Sequence, residues 1–74
     1  MNLEVTQQNL YHFLPSKVVG VSAIIADADH CSMEEALQKF YASETYQQLQ
    51  QERTKLWCLG AVALYEEYVY NINI

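Results

Sequence analysis

Basic residues are scarce in this chain. Lys17, Lys39, Arg53 and Lys55 stand against nine acids, for a formal net charge of −5. Nucleic-acid binding needs clustered Lys and Arg to neutralise phosphates, and only Arg53 and Lys55 lie close together. The same shortage argues against an anionic membrane surface. The uncharged, apolar-rich runs 18–26 and 56–65 fall well short of the ~20 apolar residues of a membrane span. Met1-Asn-Leu-Glu-Val carries no basic residue ahead of an apolar run, so no secretory signal is expected there. Cys31 and Cys58 are the only cysteines, with no close spacing. Each reads as a small buried hydrophobe, reduced in a cytoplasmic setting. Gly occurs twice and Pro once, which leaves few breaks and argues against disorder.

What is abundant is apolar surface. The 74 residues are 51% hydrophobic and 12% aromatic. A domain this small buries only about 60% of the surface its unfolded chain exposes. Self-association is one outlet for the excess.

The patterning predicts helices. Ser32-Met-Glu-Glu35 is a capping box: the serine hydroxyl accepts from the N3 amide and the glutamate reaches back to the cap. Met33, Ala36, Leu37, Phe40 and Tyr41 follow on one face. Ser43 caps a second helix, from about Glu44 to Arg53, with a thin apolar face of Tyr46 and Leu49. Upstream, Val18, Val21, Ile24, Ile25 and Ala28 form a stripe from Ser16 to near Asp29-His30. Pro15 predicts a break ahead of it. Thr6 is a candidate cap for a helical segment carrying Leu10, Phe13 and Leu14. Residues 54–60 read as a connection that buries Leu56 and Trp57. A last helix runs from about Ala61 to Asn71, with Val62, Tyr65, Tyr68, Val69 and Ile72 near one face. Both termini alternate apolar and polar residues and could pair as short strands. The simpler reading of the C-terminus is a fraying helix end.

The expected fold is therefore all-α: one domain over residues 1–74, a compact bundle of three to five helices, with or without strand-like ends. The expected core is Val21, Ile25, Leu37, Phe40, Tyr41, Leu49, Trp57, Tyr65 and Val69.

No reaction chemistry emerges. Asp27, Asp29, His30 and Cys31 gather ligand types in five residues. Their spacing matches no zinc pattern, and the glycine and distal Glu of a calcium loop are missing. Cys31 with His30, or Cys58 with His12, lacks a third group to orient the base. The aromatics Phe40, Tyr41, Tyr46, Trp57, Tyr65 and Tyr68 lack the interleaved bases of a nucleotide-stacking platform. The expectation is no catalytic residue, no metal and no cofactor.

Residues 33–57 (MEEALQKFYASETYQQLQQERTKLW), followed by Leu64-Tyr65-Glu66, resemble a group of short, uncharacterised bacterial proteins. Their shared pattern is E-E-A-L, F-Y-x-S, Y-x-x-L, E-x-T-x-L-W, then L-Y-E. The resemblance covers about the C-terminal half and carries no known activity. A Ser-Pro pair often opens the last helix in such families, where this chain has Gly60-Ala61. Some similar proteins are encoded beside toxin–antitoxin genes.

The function expected is a non-catalytic cytoplasmic interaction or regulatory module. Its partner would be a second copy, as a homodimer, or another small protein; neither nucleic acid nor membrane is expected. Phe13, Val18, Tyr65, Tyr68, Val69 and Ile72 are the candidate interaction residues. The second reading is an antitoxin-like neutraliser of a basic partner. The third is a small metal-binding or redox protein using residues 27–31.

Overall fold

Four α-helices carry the fold: α1 (Leu14–Asp29), α2 (Met33–Tyr41), α3 (Glu44–Leu49) and α4 (Ala61–Ile72). Single 3-10 turns at Leu10–His12, Glu52–Thr54 and Leu56–Cys58 fill the connections. A computed structural model describes residues 6–72, and no strand occurs among them. The fold is all-α. The expected strand pairing falls on residues 1–5 and 73–74, outside the described residues, and on Tyr70–Ile72, which are helical instead.

The N-terminal break sits earlier than Pro15 suggested. Thr6 and Asn9 exchange bonds: the Thr6 N–H donates to Asn9 Oδ1 at 2.7 Å and the Asn9 N–H to Thr6 Oγ1 at 3.3 Å. This closes one helical turn, continued by the 3-10 turn at Leu10–His12. Helix α1 then starts at Leu14 with Pro15 in its first turn. A proline there costs little, because its absent N–H would have no partner inside the helix.

α1 ends on His30, in the left-handed region at φ 53°. His30 takes the role glycine usually has, and the N–H groups of His30 and Cys31 both return to Ala26 O. Ser32 opens α2 by accepting from the Glu35 N–H at 3.1 Å. Only this half of the capping box forms, and the Glu35 side chain stays in solvent. Ser43 is buried at the α2–α3 corner. Its hydroxyl accepts from the Tyr46 N–H and donates to Phe40 O.

α3 is shorter than its glutamine run predicts. The chain leaves the helix after Leu49, because tertiary contacts claim the next backbone groups. Gln7 donates to Gln50 O at 2.8 Å and accepts from the Glu52 N–H at 2.9 Å. Thr54 Oγ1 donates toward Gln48 O and Gln51 O. One side chain from the N-terminal segment thus pins the loop that ends α3.

The core is one cluster: Leu10, Leu14, Val18, Val21, Ile25, Ala36, Phe40, Leu49, Leu64 and Tyr68. Val21, Ile25, Phe40 and Leu49 were expected there. Leu37, Trp57, Tyr65 and Val69 pack against the cluster only partly buried. Tyr41 was expected in the core and is exposed. Each helical residue advances about 100°. Tyr41 therefore turns that far past buried Phe40, and it meets the edge of Tyr46 at 4.9 Å instead. Trp57 is held by its indole N–H, which donates to Glu52 O at 3.0 Å, with Lys55 over the ring at 5.6 Å. The Ser22 hydroxyl is fully buried without a partner, alone in that among the described residues.

Candidate functional site

No enclosed cleft is found among the described residues. The feature that stands out is α4, which is apolar around more of its circumference than the core covers. Leu64 and Tyr68 point inward. Ala61, Tyr65 and Val69 are partly buried at the edges, while Val62, Tyr70 and Ile72 are exposed, Val62 to 65% and Ile72 to 60%.

Three contacts fix the rotation of α4. At its first turn it meets α1, where a Cβ built on Gly20 would lie 3.2 Å from the Ala61 Cβ. A glycine here permits close approach of the two backbones. In the middle, Tyr68 packs against Phe40, ring centroids 6.1 Å apart, and stacks with Tyr65 at 6.3 Å. At its last turn, the Asn71 side-chain amide donates to Thr45 Oγ1 of α3 at 2.7 Å.

With Ala61, Leu64, Tyr68 and Asn71 turned toward neighbours, helical spacing assigns Val62, Tyr65, Val69 and Ile72 to one outer strip. They stand at i, i+3, i+7 and i+10. Glu66, exposed, lies along the strip's outer edge, one turn from Val62 and from Val69. Helix α4 contains no basic residue.

Where α1 ends beside α4, the Tyr68 hydroxyl lies in the field of a polar cluster. Asp29 and Lys39 form an exposed ion pair at 3.2 Å. Burial pushes the Tyr68 phenol above the ordinary tyrosine value, and Asp29 raises it further against the opposing pull of Lys39. The Asp29 bond holds the Lys39 ammonium above its ordinary value in turn. Burial likewise raises Tyr46, assisted by Tyr41. None of these shifts moves a group into the range where it would act as an acid or base near neutrality.

The expected interaction residues divide. Tyr65, Val69 and Ile72 fall on the outer strip of α4, and Tyr68 and Val18 lie in the core. Val18 faces inward because it shares the Leu14, Val21 and Ile25 side of α1. Phe13 is half-buried at the start of α1, away from α4's last turns. Val62 completes the strip; its spacing from Tyr65 and Val69 was the signal available for it. Of residues 27–31, Asp29 is engaged by Lys39 and His30 closes α1. No three His, Cys, Asp or Glu side chains converge as metal ligands among the described residues. Both thiols are free.

No protein-family model, curated protein or solved structure matches this chain.

Proposed function

We propose that this chain is a non-catalytic interaction or regulatory module of the cell interior, acting through the outer strip of α4. The observation that carries this reading is the apolar row Val62, Tyr65, Val69 and Ile72, with Val62 and Ile72 exposed and Tyr65 and Val69 half-buried beside an already complete core. An apolar strip of this kind costs solubility unless something covers it. Tyrosine suits such a surface, since its ring buries well while its hydroxyl stays hydrated. The two free thiols fit a reducing compartment. From Val62 to Ile72 the strip runs about 15 Å along α4, which matches a single helix laid against it. A second copy and another small protein are the two kinds of partner such a strip serves.

The test is a paired substitution, Val62→Gln with Val69→Gln. Val62 is exposed and Val69 lies half-buried at the edge of the core, so circular dichroism of the variant is recorded first and should keep its helical signal. Chromatography with mass measurement, on protein purified from its native cells, should then show the chain alone. The unaltered chain should run as a complex. A complex that persists in the variant removes α4 from the function.

A further inference from the structure

Resting on the α4 reading, we propose that the partner is a cationic amphipathic segment of another protein, and not a second copy of this chain. The charges around the strip decide between the two. Glu66 borders it on the outer side and is exposed. On the other side stands α1. Gly20 marks the face of α1 that meets α4. Asp27, seven residues on, returns to that face two turns later and is exposed.

No base is ion-paired with Glu66 or Asp27 among the described residues. Lys17 donates to Leu59 O at 2.7 Å, Lys39 is paired with Asp29, and Lys55 is paired with Glu52. Arg53 belongs to the turn after α3. The ends of α1 and α4 add to the effect. Asp29 of the last turn of α1 lies close enough to influence Tyr68, so the two helices run in the same general sense. Their negative dipole ends are then gathered at one end of the strip, with no basic residue in either last turn.

A second copy fits this arrangement poorly. Twofold pairing of α4 in the antiparallel sense, centred on the strip, sets Glu66 near its own counterpart. Parallel pairing turns the two Glu66 flanks apart but still joins two chains that each carry a net charge of −5. Either way two acidic molecules are brought together, which opposes association. A helix with Leu or Phe on one face and Lys or Arg on its flanks meets both the apolar strip and the acidic rim.

The experiment uses the full chain and three synthetic 14-residue helical peptides, alike in their leucine face and carrying Lys, Gln or Glu at every flanking position. Binding is followed by fluorescence anisotropy, and the mass of the free chain by sedimentation. The chain should be monomeric and bind the Lys peptide about tenfold tighter than the Gln peptide, with the Glu peptide weakest; added salt should narrow the spread. The double variant Asp27→Asn with Glu66→Gln should bind the Lys and Gln peptides alike. Val62→Gln with Val69→Gln, which keeps every acid, should lose binding to all three. Equal binding of the three peptides by the unaltered chain would overturn the inference. So would a dimer that Val62→Gln with Val69→Gln dissociates, although that result leaves the α4 reading standing. If the paired variant alters neither peptide binding nor self-association, both readings fail.

Discussion

The Asn71 side-chain amide donates to the hydroxyl of Thr45 at 2.7 Å, joining the last turn of α4 to the first turn of α3. Thr45 is fully buried and Asn71 is only half-buried, so the two ends of this bond are not equivalent. Asn71→Ala strands a buried hydroxyl and should cost about 1–3 kcal/mol. Thr45→Val keeps the shape and leaves an amide that can reach water, so it should cost about 1 kcal/mol or less. Urea unfolding of both variants checks the order. A larger loss in Thr45→Val would mean that the hydroxyl has another role in the core.

The close approach of Gly20 to Ala61 sets the spacing of α1 and α4. A methyl at residue 20 gains helix propensity of about 1 kcal/mol but meets the Ala61 Cβ at 3.2 Å. Gly20→Ala should therefore come out near neutral. Gly20→Val adds bulk that neither helix can absorb and should cost about 1–3 kcal/mol. Adding Ala61→Gly to Gly20→Val should recover part of the loss. Simple additivity in the double variant would show that the two residues do not share the contact.

Ser22 places an unpartnered hydroxyl in the core. Ser22→Ala removes the unsatisfied group while leaving the backbone and the packing of α1 in place. The expected change is zero to about 1 kcal/mol of added stability. A clear loss in thermal or urea unfolding would reveal a hydrogen bond that forms in solution.

The two serine caps should differ in weight. Ser32 is exposed and makes one capping bond, so Ser32→Ala should cost about 1 kcal/mol. Ser43 is buried, caps α3 and also donates to Phe40 O at the end of α2. Ser43→Ala breaks both bonds at once and should cost about 2 kcal/mol, the upper end for a cap. Equal midpoints for the two variants would contradict the corner role of Ser43.

Both caps were legible because they are local: a serine two or three residues ahead of an apolar period needs no tertiary knowledge. The inward face of α1 was legible in part for the same reason, through Val21 and Ile25, whereas Val18 of the same stripe was expected at an interface and lies in the core. The α4 face was not. Val62, Leu64, Tyr65, Tyr68, Val69 and Ile72 surround most of that helix, so periodicity alone does not pick its buried side. Contacts with Gly20, Phe40 and Thr45 pick it, and they select Leu64 and Tyr68. The early end of α3 was hidden because its cause, Gln7, lies more than forty residues away. Tyr41 misled because it continues an i, i+4, i+8 series at the last residue of α2, where no further element covers it.

The claim that matters most is that the outer strip of α4 is the surface by which this chain meets its partner. An amide correlation spectrum of the full chain, titrated with the leucine–lysine peptide, tests it most directly. The account predicts shifts concentrated on Val62, Tyr65, Glu66, Val69 and Ile72, with smaller ones at Asp27. Shifts concentrated on α2 and α3, or scattered over every acidic residue without regard to α4, would contradict it.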